Sequence, residues 1–339
     1  MPESVVDQIV AELRRSASTF YPHRQELKNV RVVGHTPKPE FYIYDIVIDY
    51  SDASERVAAK VYRAGKGGPQ QARSLARTEC SNLSRTWNLF EKKKLKGVPR
   101  PIGDFTDLGA VVAEKLVGVP LQSIIMKAAL LPGYADVGTL GVAARMTGEW
   151  LRNFHRATAN LPEPFNLEAL IKDLQRQCDA CRSEGLDDQA IRGIVQGARA
   201  TLGRSKKTLA SSATLNDFTP LNVVVGEKGV GICDFAKMSE RGASFNDVAQ
   251  FLACVEALEK YPFCNRAITT EVQEEFLKAY GLTASEEAVV RVLKMKALLA
   301  MFARGRTVKE TAVRKKIMWA NVMKRFIHQA AQRSLAPAA

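Results

Sequence analysis

Near residue 116 the hydrophobic period of this chain changes, and that change limits what it can fold into. Before it, NVRVVGH, FYIYDIVIDYS and ERVAAKVYR are rich in Val, Ile and Tyr and are separated by the turn-prone HTPKPE and SDASE. The pattern predicts three antiparallel strands over roughly 29–35, 41–50 and 55–63. GKGGPQQ then reads as a loop, and 71–95 as a helix carrying Leu75, Leu83, Trp87 and Phe90. Short strands are expected around Pro101–Phe105 and Ala110–Leu116. From about 121 onward apolar residues recur at helical spacing, most clearly over 137–159 with Leu140, Ala144, Leu151 and Phe154. Further helices are expected near 167–183, 187–209, 244–260, 270–280, 284–303 and 307–334. Ahead of the strands, Val5, Val6, Ile9, Val10 and Leu13 share one face of an amphipathic leader helix.

At 339 residues the chain exceeds most single cores, so two lobes are expected. No apolar run reaches the ~20 residues that span a bilayer. The opening MPESVVDQIVAELRR lacks a basic stretch followed by an apolar one, so a cytoplasmic location is expected rather than secretion. Six cysteines are too sparse for a disulfide framework, and the Cys178–Cys181 pair has no second Cys or His pair beside it to complete a zinc site. Reduced thiols are expected. The net charge is +13, and residues 291–339 hold twelve Lys and Arg against the single acid Glu310. That asymmetry points to an anionic ligand or a membrane surface at the basic C-terminus, or to a solvated basic face. No nucleic-acid recognition motif accompanies the charge, so nucleic acid is not expected as a partner.

The chemistry concentrates in TLNDFTPLNVVVGEKGVGICDFAKM. Asp217 and Asn222 lie five positions apart on a loop that enters a hairpin turning at Glu227-Lys228-Gly229, and Asp234 follows its second strand. Phosphoryl transfer needs such a set: a carboxylate to take the acceptor hydroxyl's proton, and hard oxygen ligands to hold Mg²⁺ against nucleotide phosphates.

D-x-x-x-x-N followed by D-F-(G/A) resembles the catalytic and metal loops of the protein-kinase superfamily. The wording Asp217-Phe218-Thr219-Pro220-Leu221-Asn222-Val223-Val224-Val225, then Ile232-Cys233-Asp234-Phe235, looks most like the aminoglycoside phosphotransferase and choline kinase branch. The resemblance runs over roughly residues 30–260. It implies an α+β, bilobal protein-kinase-like fold, with a small antiparallel β-sheet N-lobe carrying one helix and a larger, mainly helical C-lobe. The expected division is 1–28 leader helix, 29–116 nucleotide-binding N-lobe and 117–339 C-lobe with the catalytic loop and acceptor-binding helices. By resemblance Asp217 is the catalytic base, Asn222 and Asp234 are the Mg²⁺ ligands, and Asp247 in Asn246-Asp247-Val248-Ala249 braces the catalytic loop. Val57-Ala58-Ala59-Lys60-Val61-Tyr62 is similar to the third-strand lysine motif, so Lys60 would contact ATP phosphates with Glu79 as its ion-pair partner. Glu114 and Leu116 fall where the family's hinge meets adenine. His155 ends a helix similar to the family's Leu-His helix and is expected to pack on a helix face.

Two departures stand out. Leu215 and Asn216 occupy positions where the family usually has His and Gly, and Gly34-His35-Thr36-Pro37-Lys38-Pro39 is not a G-x-G-x-x-G loop. The second argues against a protein acceptor. The resemblance therefore implies an ATP- and Mg²⁺-dependent phosphotransferase acting on a hydroxyl of a sugar, alcohol or related, even anionic, small molecule. A second reading stays open at this point: a pseudokinase scaffold that binds nucleotide and recruits an anionic partner through its basic tail.

Overall fold

The computed structural model describes residues 4–131, 137–182, 185–203, 208–261, 263–305 and 313–335. The chain divides into two compact units, Met1–Gly118 with Gly226–Met238, and Val119–Val225 with Ser239–Ala339.

In the first unit, α1 (Val5–Phe20) begins at a reciprocal cap, Ser4 accepting from the Asp7 N–H while the Asp7 carboxylate accepts from the Ser4 N–H. Ile9, Leu13 and Ala17, spaced four apart, are fully buried against the sheet. Burial of each of the two larger side chains contributes roughly 1.5–3 kcal/mol. The helix is pinned further by the Tyr50 hydroxyl, which donates to the Ala17 carbonyl (3.0 Å), and by Arg100, which donates to that of Phe20 (3.0 Å).

Strands β1 (Leu27–Pro37), β2 (Phe41–Tyr50), β3 (Ser54–Tyr62) and β4 (Ala110–Glu114) form one sheet in the order β1-β2-β3-β4, antiparallel throughout. Ile46, Ile48, Val57, Ala59 and Val112 turn inward toward α1. The alternation that buries Val57, Ala59 and Val61 sends Lys60 to the opposite face, opposite Ile43 and Val111 in register. Against the sheet lies α2 (Gly68–Lys92), which opens on Pro69 and buries Ala72, Ala76, Glu79, Leu83 and Phe90. The expected strand at Pro101–Phe105 is reduced to a single bridge, Pro101 to Ala113. Proline has no N–H for a ladder, and Gly103 at φ +66° turns the chain out of the extended course.

The expected hairpin is present as β8 (Val223–Gly226) and β9 (Gly229–Ile232). Glycine matters here at Gly226, where a Cβ would fall 2.2 Å from the Val117 carbonyl oxygen.

The second unit is mainly helical: α3 (Leu121–Leu130), α4 (Val137–Ala157), α5 (Leu167–Ala180), α6 (Asp188–Leu202), α7 (Phe245–Glu256), α8 (Arg266–Tyr280), α9 (Ala284–Gly305) and α10 (Val313–Leu335). It also holds β5 (Val119–Pro120), which pairs with β8, and a sheet of β6 (Asn160–Pro164), β7 (Thr208–Thr214) and β10 (Ser239–Ala243) in the order β10-β7-β6. The helix expected over 187–209 ends at Leu202, and Thr208 already begins a strand. TLASSAT is small and polar, with neither β-branched enrichment nor clean alternation to announce it. It is a strand because flanking strands satisfy its backbone. Trp150, Phe154, Phe218, Phe251 and Phe276 stack through the centre, the last pair 4.2 Å apart between ring centroids.

Cys178 and Cys181 are buried thiols not joined in a disulfide. Burial pushes the Cys178 thiol up to about 12, away from metal-binding thiolate chemistry, and the described residues contain no cluster of three or more His, Cys, Asp or Glu able to hold a metal. No described helix is long and apolar enough to cross a membrane.

Of the basic C-terminal residues, Arg306 and Lys309 lie outside the described residues, as do the side chains of Arg304, Arg314, Lys315 and Lys316. Several described ones are already paired. Lys294 meets Glu256 at 2.5 Å, Arg333 meets Glu259 at 2.7 Å and Glu256 at 3.4 Å, and Lys296 meets Asp173 at 3.4 Å.

α4 and α8 approach closely, so that a Cβ on Gly148 would fall 2.4 Å from the Phe276 carbonyl oxygen. A backbone atom cannot yield as a side chain can. Gly148→Ala should therefore lower stability by about 1–3 kcal/mol in urea denaturation, despite alanine's better helix propensity. An unchanged midpoint would show that the two helices can separate freely.

Candidate active site

Three of the residues singled out in the sequence meet in the first unit. Lys60 Nζ donates to Glu79 Oε1 at 3.0 Å and to Asp234 Oδ1 at 3.2 Å. The register of β3 aims Lys60 at this point, and α2 brings Glu79 to it on its buried face. Burial opposes the Lys60 ammonium, but the Glu79 and Asp234 carboxylates outweigh it and hold its pKa above the ordinary lysine value. The Phe41 ring, with its centroid 4.4 Å from Nζ, covers the cation from one side.

Two further side chains complete the arrangement. The Tyr62 hydroxyl donates to Glu79 Oε2 at 2.5 Å, so that both carboxylate oxygens are engaged. Burial, and then Glu79, push the Tyr62 phenol well above its usual range, so it stays a donor. Asn82 Nδ2 donates to the carbonyls of Phe235 (3.0 Å) and Met238 (3.2 Å), tying the segment that carries Asp234 to α2. The Ala236 N–H in turn donates to Asp234 Oδ1 at 3.0 Å, fixing the carboxylate. Sequence reasoning passed over Tyr62 and Asn82, although spacing offered a clue. Tyr62 lies two residues past Lys60 on the same strand face, and Asn82 three past Glu79 on the same helix face.

Glu114 and Leu116 lie at the end of β4 and just beyond it. The Glu114 N–H donates to the Arg100 carbonyl (2.8 Å) and that of Lys115 to the Arg56 carbonyl (2.9 Å), while the Glu114 side chain accepts from Arg100 Nε at 2.7 Å. Leu116 is therefore the first residue of this segment whose amide is not tied into the sheet.

The second unit holds the other loop. Asp247, fully buried at the start of α7, accepts the N–H groups of Leu215 and Asn216, each at 2.8 Å. Its Oδ2 also lies 3.2 Å from His155 Nε2, and His155 Nδ1 lies 2.8 Å from the Tyr280 hydroxyl. A carboxylate only accepts, which assigns the proton to Nε2 and makes the Tyr280 hydroxyl the donor to Nδ1. His155 is thus a buried hydrogen-bonding post for Asp247, beyond the packing role expected of it. Asn222 Nδ2 donates to the Asp217 carbonyl at 2.9 Å, closing the loop over Phe218 in the aromatic core. Asn216 sits at φ +58°, the left-handed region that glycine and asparagine tolerate best. Asn is thus a fitting replacement for the Gly that the resembling loops carry.

No protein-family model matches this sequence, and no curated protein matches it. Solved structures do. The chain is similar to glucosamine kinase in complex with glucosamine, ADP and inorganic phosphate, with a TM-score of 0.54, 14% identity, and 96% of this chain and 99% of that one covered. It is similar to amicoumacin kinase in complex with AMP-PNP, Ca²⁺ and Ami, with a TM-score of 0.52, 13% identity and coverage of 95% and 93%. A choline/ethanolamine kinase family protein from Mesorhizobium loti gives 0.50, 13%, and 95% and 99%. The fold is that of the kinase-like phosphotransferases.

The conformation at position 216 yields an expected outcome. Asn216→Gly should leave stability within about 0.5 kcal/mol, whereas the β-branched Asn216→Val should lose about 1–3 kcal/mol in denaturant titration. Equal stability of the two variants would show that the left-handed turn is not required.

Proposed function

We propose that this chain is a small-molecule kinase that moves the γ-phosphoryl group of ATP to a hydroxyl of a sugar, alcohol or related acceptor. The observation that carries this reading is the largely buried Lys60 ammonium held between Glu79 and Asp234. One cation between two carboxylates leaves a unit of negative charge, and Asp234, the more exposed of the two acids, is where it can be met. A hard divalent cation fits that donor. So does the amide of Asn222, whose Nδ2 is spent on the Asp217 carbonyl, making Oδ1 the atom with ligand chemistry.

In this reading 29–116 is the nucleotide-binding lobe and 117–339 holds the catalytic loop and acceptor helices. Lys60 contacts the α/β-phosphates, positioned by Glu79 and Tyr62. Leu116 offers its amide, and Glu114 its carbonyl, to the adenine edge. Asp234 and Asn222 would hold Mg²⁺, which would supply charge neutralisation for the migrating phosphoryl group. Asp217 orients the acceptor hydroxyl and accepts its proton as the oxygen bonds to the γ-phosphorus and the bond from that phosphorus to the β–γ bridging oxygen breaks, ADP leaving. Asp247 keeps the loop in place through two backbone N–H groups. The glucosamine and ADP carried by glucosamine kinase, and the AMP-PNP and Ca²⁺ carried by amicoumacin kinase, support the choice of a small acceptor, a nucleotide and a divalent ion.

Purified protein given ATP, Mg²⁺ and a panel of sugars and alcohols should release ADP only when an acceptor is present. Asp217→Asn should lower that rate roughly 10²–10⁴-fold while nucleotide affinity changes less than about twofold. Nucleotide binding without turnover on any acceptor is the outcome expected of a scaffold, and it would overturn the kinase reading.

A further inference from the structure

We infer that Asn82 on α2 is a positioning residue for Asp234, and that it sets how tightly the first unit holds a divalent cation. The inference rests on the proposed reading in which Asp234 meets the metal. Every group it uses lies in the first unit.

Asp234 has one carboxylate oxygen committed and one left over. Oδ1 accepts from Lys60 Nζ at 3.2 Å and from the Ala236 N–H at 3.0 Å. Oδ2 accepts no hydrogen bond among the described residues, so it is the oxygen left for a cation. The Ala236 N–H therefore governs how the carboxylate is rotated. Ala236 itself belongs to a turn over 235–238, which lies between β9 and β10 and is part of no helix or strand. The Met238 N–H closes that turn on the Phe235 carbonyl at 3.2 Å.

α2 meets the turn with three buried polar side chains, Glu79, Asn82 and Thr86, spaced three and four apart on one face. Glu79 Oε1 accepts from the Phe235 N–H at 3.4 Å. Asn82 Nδ2 donates at 3.0 Å to the Phe235 carbonyl and at 3.2 Å to that of Met238, the first and last of the turn. The Thr86 hydroxyl donates to the Asn82 carbonyl at 2.8 Å and lies 3.4 Å from Met238 Sδ. The Phe235 and Met238 side chains are buried, which fixes where the turn lies, while the Asn82 amide fixes the direction of its peptide groups. Among small side chains only asparagine offers two N–H donors; serine offers one and an ionised aspartate none. Burying such an amide is costly unless its donors are used, and here one nitrogen serves both ends of the turn. Groups that orient a metal ligand without touching the metal typically change its affinity about 10–100-fold when removed.

The test is titration of the full chain with Mg²⁺ in the presence of a non-hydrolysable ATP analogue, reading the fraction of analogue bound. Wild type is compared with Asn82→Leu, Asn82→Ser and, as a control in the core of the same unit, Ile9→Val. The Mg²⁺ concentration for half-maximal binding should rise about 10–100-fold in Asn82→Leu. It should rise less in Asn82→Ser, which keeps one donor and decides the matter if the leucine variant does not fold. In EDTA the analogue should bind all the proteins alike, within about twofold. Ile9→Val loosens α1 and should match wild type, separating positioning from general destabilisation. A wild-type Mg²⁺ requirement that persists unchanged in both Asn82 variants, or rises equally in Ile9→Val, overturns this inference and leaves the kinase reading standing. No effect of Mg²⁺ on wild type overturns both.

Discussion

A lysine ammonium largely removed from water must have carboxylates around it, and in this chain that requirement organises the first unit. Lys60 can be buried only because Glu79 and Asp234 both reach it. Glu79 must then come from a helix packed on the sheet face that Lys60 leaves by, which fixes α2. Asp234 must come from a segment that returns to the same point, and Asn82 clamps that segment to α2. Removing one partner from such a pair costs about 3–5 kcal/mol, because it strands the remaining charge. Tyr62 and Phe41 close the surroundings, so the ammonium keeps one geometry rather than sampling several.

The second unit solves a different problem. Its loop over Leu215–Asn222 is anchored at its start by a buried carboxylate. Asp247 satisfies two consecutive backbone N–H groups, and a Tyr280–His155 relay positions it from the far side. This relay bears on the absence of histidine at position 215. There the side chain is a buried leucine within the core, and a histidine from α4 reaches the bracing aspartate instead.

Much of this was legible in the sequence because strong periodicity and spacing carry it. β2 falls on Phe41–Tyr50 as expected, β3 and β4 fall within a residue or two of expectation, and the hairpin turns at Glu227–Lys228. The Lys60–Glu79 pair could be named in advance because the resemblance to the third-strand lysine motif implies both members. The β6-β7-β10 sheet was not legible. TLASSAT and SERGA carry no hydrophobic signature and become strands through long-range pairing, TLASSAT with both β6 and β10. Pro101–Phe105 failed in the opposite sense, for its apolar residues suggested a strand that Pro101 and Gly103 prevent. Nor could the sequence show that Glu256 and Glu259 would consume Lys294 and Arg333, since composition alone does not reveal which charges meet.

The central claim is that the Lys60–Glu79–Asp234 arrangement receives a metal–nucleotide complex. Titration of a non-hydrolysable ATP analogue into wild type and Asp234→Asn, each with Mg²⁺ and with EDTA, addresses it directly. Wild type with Mg²⁺ should bind at least about tenfold more tightly than the other three combinations, which should resemble one another. Equal affinity in all four would contradict the account, because the excess negative charge at Asp234 would then have no bearing on the nucleotide.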